Sequence, residues 1–171
     1  MAFINIEIKA RTARSEAIRK FLADNQADFR GRDIQTDTYF NALRGRLKLR
    51  EGNIENTLIY YERADTGGPR ASAFSLVEVN EPVVLKDMLT AAAGIKVVVK
   101  KQRDIYFLGN VKIHLDSLEG LGHFVEIEAS NRYADLSKEE LARQCDHYIE
   151  AFGIRPEDHI AVSYSDMLLG R

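Results

Sequence analysis

The chain has 171 residues, of which 45% are hydrophobic and 29% charged, and its 24 Lys and Arg nearly balance its 26 Asp and Glu. This composition excludes a disordered chain, and the near-neutral charge argues against general nucleic-acid binding, which needs a basic excess. A single cysteine excludes a disulfide framework and a Cys-based zinc site. No apolar run reaches the roughly 20 residues of a membrane-spanning helix, and the first residues lack a signal-peptide pattern. We therefore expect a soluble, cytoplasmic protein with one domain over residues 1–171.

Hydrophobic periodicity and turn residues predict the elements in chain order. Strands are predicted at 3–11, 34–40, 46–50, 57–63, 71–79, 95–107, 111–115 and 124–129. Helices are predicted at 15–29, from an Asn80 cap to Gly94, and from the capping box Ser137–Glu140 to Gly153, while 163–169 is ambiguous. The clearest loop is 65–69. About eight strands, mostly in hairpins and without βαβ alternation, predict an antiparallel α+β domain.

Nearly every predicted strand has one apolar and one ionisable face, because residues two apart in a strand point the same way. The ionisable faces hold Glu7 and Lys9; Arg46, Lys48 and Arg50; Lys101 and Arg103; His114 and Asp116; and Glu126 and Glu128. A sheet with one solvated face is the simplest interpretation. However, the set at 46–50 is purely basic and the pair at 126–128 purely acidic, and like charges side by side destabilise a sheet. The segregation therefore indicates that a ligand neutralises each set.

A polyphosphate and a divalent cation are the ligands that suit these two sets. Arg and Lys bind phosphate oxygens, and paired carboxylates suit a hard cation such as Mg²⁺. If the sheet closes into a barrel with its ionisable faces inward, both sets line one lumen. A metal-bound triphosphate would then satisfy them together. His114 could act as a general base, although a lone strand histidine is more often structural.

Several motifs, taken in order, resemble the CYTH superfamily, which is named for class IV adenylate cyclase and thiamine triphosphatase. Asn5-Ile-Glu-Ile-Lys9 is similar to its Glu-x-Glu-x-Lys signature. The stretches 101–107, 113–116 and 120–126 are most similar to the bacterial class IV adenylate cyclases. The resemblance runs from residue 3 to the 163–168 tail. Asn5, in place of the first signature Glu, and His123, where an acidic residue is frequent, depart from the pattern.

The resemblance implies a closed eight-stranded antiparallel barrel that binds a triphosphate and Mg²⁺ or Mn²⁺ inside. It places Glu7 beside the metal and the phosphates. Phosphate contacts, and with them catalysis, are implied for Lys9, Arg50, Arg63, Lys101 and Arg103, and Lys48 shares the face of Arg50. Metal-binding positions are implied for Asp116 and Glu126. Glu128 extends the acidic set to Glu-x-Glu, which is more like the triphosphatase branch.

The leading functional hypothesis is a metal-dependent enzyme most like class IV adenylate cyclase, which converts ATP to cyclic AMP and pyrophosphate. The alternatives are a triphosphatase acting on thiamine triphosphate, tripolyphosphate or a nucleotide, and a non-catalytic nucleotide or polyphosphate binder. The expected partner is thus a triphosphate, with neither nucleic acid nor membrane. The oligomeric state is left open, a homodimer included.

Overall fold

The computed structural model describes residues 3–62, 70–132 and 134–170, with only the backbone of 70–73. Its strands are β1 (Phe3–Arg11), β2 (Asp28–Phe40), β3 (Arg46–Glu51), β4 (Thr57–Glu62), β5 (Arg70–Glu78), β6 (Ile95–Leu108), β7 (Val111–Leu118) and β8 (Gly122–Ser130). Its helices are α1 (Ser15–Asp24), α2 (Pro82–Ala93), α3 (Lys138–Ala151) and α4 (Tyr164–Leu168), with a short 3₁₀ turn at Pro156–Asp158. The loop predicted at 65–69 lies outside the described residues.

The eight strands close into one barrel in the order β1-β5-β4-β3-β2-β6-β7-β8, and every neighbouring pair is antiparallel. This confirms the α+β class and the closed eight-stranded antiparallel barrel. Closure leaves no sheet edge unpaired. Within the described ranges, no helix combines the length and apolar character needed to cross a membrane.

The main hydrophobic core lies outside the barrel wall. The outward side chains of β1, β7 and β8 pack under helices α1 and α3. Ile8, Ile113 and Ile127 are fully buried there, together with Leu22 of α1 and Leu141 of α3. Because side chains alternate along a strand, this burial turns the ionisable residues between them toward the barrel interior.

A second, smaller core closes one end of the barrel. Tyr164 of α4 packs with Phe124, Tyr39, Val99 and Leu118, and its ring centroid lies 5.0 Å from that of Phe124. The segment that was ambiguous in the sequence is therefore a helix that plugs the barrel.

Two predicted helix boundaries are wrong. The first helix ends at Asp24 rather than at residue 29, because Gln26 adopts a positive φ of 55° and Phe29 pairs with Tyr106 in the sheet. Asn80 does not cap the second helix. Glu81 precedes Pro82 at its start, and no side chain there caps a backbone N–H.

Candidate functional site

The inward side chains of the barrel enclose a cavity of about 470 Å³. Most of the predicted site residues line it, namely Glu7, Lys9, Lys48, Arg50, Lys101, Arg103, Glu126 and Glu128. Asp116 does not line it but is buried in contact with Arg103. Arg63 lies outside the described residues, so its role stays a prediction. Arg46, on the same face of β3 as Lys48, instead reaches Asp166 of α4 at 2.9 Å.

One buried carboxylate, Asp37 on β2, is shared by three cationic side chains. It accepts hydrogen bonds from Lys48 Nζ and Lys101 Nζ, both at 2.9 Å. It also accepts two from Arg50, through Nε at 2.9 Å and Nη2 at 3.0 Å. Although burial opposes ionisation of Asp37, Arg50 and the two lysines hold its pKa well below the usual range. Asp37 therefore stays ionised and holds the three cations together.

The neighbouring carboxylate, Glu55, does not remove the excess of positive charge. It contacts Arg50 Nη1 at 3.0 Å and Lys112 Nζ. We call Lys48, Arg50, Lys101 and Lys112 the basic cluster; in these contacts two carboxylates face four cations. Each of the four cations already contacts a carboxylate, and Lys112 also stands opposite Glu128. The cations still outnumber these carboxylates, and an anion in the cavity would balance the remaining positive charge.

The pKa of Lys101 is lowered by its burial and by the positive charges around it. Its burial, together with Arg50, Arg103 and Lys48, lowers its pKa to about 7, although Asp37 acts in the opposite direction. The Lys101 side-chain amine is thus only partly protonated at neutral pH when no anion is bound. A bound polyanion would favour the charged form.

Arg103 of β6 anchors a second charged group. Its Nε donates to Asp116 Oδ1 at 2.6 Å, and its Nη2 donates to Asp116 Oδ2 at 2.5 Å and to Glu126 Oε2 at 2.7 Å. The Tyr164 hydroxyl also donates to Asp116 Oδ2, at 2.7 Å. Both oxygens of Asp116 are therefore engaged by protein groups. We interpret Asp116 as a residue that orients Arg103, and its predicted metal ligation remains untested.

The acidic residues gather on the two adjoining strands β1 and β8. Glu7 stands directly opposite Glu128 in the sheet register, and Lys9 stands opposite Glu126. Lys9 Nζ lies 3.1 Å from Glu126 Oε1. A directly opposed pair of carboxylates destabilises a sheet unless a cation lies between them. Lys112 of β7 stands opposite Glu128 on its other side and opposes the rise in the pKa of Glu128, but it does not lie between the two carboxylates in the register. The pair Glu7–Glu128 fits a divalent cation by its chemistry.

His114 completes this acidic group. Ligand atoms of His114, Glu126 and Glu128 lie within 4.8 Å of one another, and such a set could hold a metal ion. Burial, followed by the charges of Arg103 and Lys112, lowers the pKa of His114 to about 3, so the ring is neutral at physiological pH. Burial raises the pKa of Glu128 to about 7; Glu126 and Glu7 add to this, and Lys112 opposes it. Carboxylate oxygens at this density are what Mg²⁺ and Mn²⁺ prefer.

The loop between β3 and β4 brings Glu55 into the cavity. Asp33 Oδ1 accepts the backbone N–H of Ile54 at 2.9 Å, and Oδ2 accepts that of Glu55 at 3.0 Å. Gly52 permits this close approach, since a Cβ there would lie 2.5 Å from Asp33 Oδ1. The loop is thereby fixed against the barrel wall.

Sequence reasoning missed four residues of the site, namely Asp37, Glu55, Lys112 and Tyr164. Asp37 and Lys112 had a usable signal, because Asp37 shares the inward parity of Tyr39, and Lys112 that of His114, on predicted strands. Glu55 and Tyr164 had none, since a loop and an unassigned tail carry no periodicity that indicates a direction. Their positions depend on tertiary contacts.

The fold and the site define a class of protein: a closed antiparallel barrel whose interior is lined by basic and acidic side chains. The sequence model of the CYTH domain matches residues 4–164. The chain therefore belongs to the CYTH domain family.

Solved structures show the same fold. The PH1012 protein of Pyrococcus horikoshii OT3 is 26% identical, with a TM-score of 0.78 over 95% of this chain and 98% of that one. A candidate adenylate cyclase of Vibrio parahaemolyticus is 20% identical, with a TM-score of 0.75 over 97% and 98%. The Hippeastrum protein HpAC1, described as a candidate adenylyl cyclase with a dominant triphosphatase activity, is 13% identical, with a TM-score of 0.66 over 98% and 94%. The search of curated proteins found no match.

Proposed function

We propose that this chain is an enzyme that binds the divalent-metal complex of a triphosphate inside the barrel. We propose that its reaction is that of a class IV adenylate cyclase, which converts ATP to cyclic AMP and pyrophosphate. One observation carries the proposal: the cavity is lined both by a basic cluster with too few carboxylates and by an opposed pair of carboxylates. A polyphosphate matches the first and a metal ion the second. Family membership supports the same assignment.

The basic side chains would bind and orient the phosphate chain. Lys48, Arg50 and Lys101 already converge on Asp37, so they are positioned before substrate arrives. Arg103 is held by Asp116 and Glu126. In a cyclase the ribose 3′-hydroxyl attacks the α-phosphorus, and these cations would stabilise the charge that develops on the departing pyrophosphate. Catalysis of this kind relies on positioning and electrostatics.

The metal would be held by Glu7 and Glu128, and by Glu126 where the cation replaces its contact with Lys9 or Arg103. Mg²⁺ or Mn²⁺ bound there would supply Lewis-acid stabilisation of charge on the phosphate oxygens. Lys9 lies beside Glu126, where it would limit repulsion among the carboxylates and contact phosphate oxygens. His114, which is neutral, lies 3.3 Å from Glu126 Oε2 through its Nδ1 and would help to orient that carboxylate.

A triphosphatase is the second candidate. In this reaction water attacks the γ-phosphorus, the bond from that phosphorus to the β–γ bridging oxygen breaks, and the diphosphate part of the substrate departs, so that orthophosphate and a diphosphate are the products. The observation that favours it is the acidic pair Glu126 and Glu128, both of which line the cavity. A fold neighbour described as having a dominant triphosphatase activity agrees with it.

Product analysis tests the proposal and separates the candidates. The protein is incubated with ATP, tripolyphosphate or thiamine triphosphate and Mg²⁺ or Mn²⁺. Cyclic AMP with pyrophosphate supports the cyclase, orthophosphate supports the triphosphatase, and binding without turnover indicates a non-catalytic binder.

A matched pair of variants ties the activity to the cavity. Lys101→Ala removes a buried member of the basic cluster, whereas Lys100→Ala changes the exposed neighbour that points outward. We expect turnover to fall by about tenfold or more in the first, because charged hydrogen bonds contribute roughly 1.5–3 kcal/mol, and to be unchanged in the second. Equal activity of the two variants would contradict the site.

A further inference from the structure

Part of the cavity wall is lined by aromatic and aliphatic side chains rather than by charged ones. Tyr61, Phe74 and Phe3 lie side by side on β4, β5 and β1, as the strand register shows, and all three line the cavity. We call them the aromatic row. The ring centroids of Phe3 and Phe74 lie 4.0 Å apart in an edge-to-face arrangement. Two residues further along the same strands, on the same inward face, Ile59 and Leu76 stand opposite each other and also line the cavity.

An aromatic and aliphatic wall of this kind suits the organic part of a ligand. Ligand pockets are mainly apolar, with a few placed polar groups that fix orientation. A nucleobase presents two flat faces that stack on aromatic side chains whatever its identity. An inorganic triphosphate would leave the wall in contact with water.

Asn5 lies between the aromatic row and the carboxylates. It follows Phe3 and precedes Glu7 on the inward face of β1, each two residues away, which corresponds to about 6.5–7 Å along a strand. Asn5 is only 3% exposed and lines the cavity. Its Oδ1 accepts no hydrogen bond from any described residue. A buried acceptor without a donor is costly, so this oxygen would accept an N–H from a ligand that displaces the side chains now covering it.

We propose that Asn5 and the aromatic row form a subsite for a purine base that carries an amino group, so that the substrate is an adenine nucleotide rather than an inorganic triphosphate. The ring lies on the aromatic row, and its exocyclic amino group donates to Asn5 Oδ1. The amide of asparagine matches the amino edge of adenine. This inference rests on the proposed function, because the subsite is useful only beside a triphosphate site.

The test compares the affinities of three ligands for the wild-type protein by calorimetry, without metal so that no turnover occurs. The ligands are ATP, purine riboside 5′-triphosphate, which lacks the amino group, and tripolyphosphate, which lacks the nucleoside. We expect ATP to bind about tenfold more tightly than purine riboside triphosphate, in line with one hydrogen bond to a buried acceptor. We expect tripolyphosphate to bind more weakly than either.

Two variants and a control test whether the subsite causes the difference in affinity between the ligands. Asn5→Leu should bring ATP and purine riboside triphosphate to equal affinity. Phe74→Ala should weaken both nucleotides by about tenfold, as loss of base stacking does, and should leave tripolyphosphate binding as it was. Val77→Ala, on the outward face of the same strand and 57% exposed, is the control and should change none of the three.

The outcomes separate this inference from the proposed function. If tripolyphosphate binds as tightly as ATP, or if the two purine nucleotides bind equally to the wild-type protein, the subsite is wrong and the triphosphate site stands. If none of the three ligands binds, even with Mn²⁺ added, the proposed function fails as well. The wild-type comparison keeps the test decisive even if Asn5→Leu does not fold.

Discussion

At the scale of single residues, the charge on Lys101 is set by its neighbours. Its ammonium group shares Asp37 with Lys48 and Arg50 in a buried position. Desolvation and like charge bring its pKa to about 7, within the physiological range. The free protein thus reduces the repulsion in its own basic cluster by releasing a proton. A polyanion that binds beside Lys101 raises its pKa, so that the side chain takes the proton up again.

This leads to a prediction about pH. Between pH 7.5 and 9 most Lys101 side chains of the free protein are neutral, and a bound triphosphate raises the pKa so that binding takes up a proton. Affinity should therefore fall as pH rises, by up to about tenfold per unit. Calorimetry in buffers of different ionisation enthalpy measures the proton uptake directly. Lys101→Arg, which stays charged, serves as the control.

Two results would count against this account of Lys101. The first is a binding affinity for triphosphate that is constant between pH 7.5 and 9. The second is a proton uptake in Lys101→Arg equal to that of the wild-type protein, which would assign the proton to another group.

The sequence was informative at this scale wherever a residue sat in a regular strand. The alternation around Glu7 and around Lys101 predicts the direction of both side chains, and both line the cavity. Asp37 was overlooked although the same rule applied to it. Glu55 depends on contacts of Asp33 with the backbone of a loop, and no local pattern encodes such contacts.

At the scale of elements, helix α4 connects the barrel plug to the site. Ser163 begins it with a capping box, in which Asp166 N donates to Ser163 Oγ at 3.1 Å and Ser163 N donates to Asp166 Oδ2 at 3.1 Å. The next residue, Tyr164, donates its hydroxyl to Asp116, which in turn holds Arg103. The Ser163 cap of α4 thus helps to fix the position of the Arg103 guanidinium group in the cavity.

A comparison of two capping boxes tests this connection. Ser163→Ala and Ser137→Ala each remove the capping serine, from α4 and from α3, and each should lower the free energy of unfolding by about 1 kcal/mol. Only Ser163→Ala should also weaken tripolyphosphate binding, by up to about fivefold if that energy reaches the site. Urea denaturation and calorimetry provide the two measurements. If both variants bind tripolyphosphate like the wild type, α4 only closes the barrel.

Sequence patterns predicted the elements that depend on local interactions better than those that depend on tertiary contacts. The capping box at Ser137 is a local interaction, and the structure has it as predicted. The end of α1 is not local: Phe29 continues the helical spacing of apolar residues, yet it pairs with Tyr106 in the sheet. Helix α4 is too short for periodicity and is held by its packing against the barrel.

At the scale of the whole molecule, barrel closure is what creates the site. Closure brings β1 next to both β5 and β8, and so joins the acidic pair on one side to the aromatic row on the other. Alternation within single strands cannot show closure, because an open sheet would have the same pattern. The motifs shared with the CYTH family predicted it, and the strand order confirms it.

The near balance of basic and acidic residues in the composition also has its explanation at this scale. Charges of both signs face the barrel interior: the basic cluster lies on β3, β6 and β7, and the carboxylate pair Glu7–Glu128 lies on β1 and β8. A protein with little net charge can therefore present a strongly charged interior. The proposed ligand, a triphosphate with its metal, carries both signs as well.

Binding of a non-hydrolysable triphosphate tests the central claim most directly. Imidotriphosphate is titrated into the protein by calorimetry, with and without Mn²⁺, for the wild type, for Glu128→Gln and for Glu119→Gln, an exposed control. The account predicts binding at one site that Mn²⁺ tightens in the wild type and in Glu119→Gln. In Glu128→Gln the Mn²⁺-dependent gain should be lost while metal-free binding remains. Failure of imidotriphosphate to bind under any condition, or a full Mn²⁺ gain in Glu128→Gln, would contradict it.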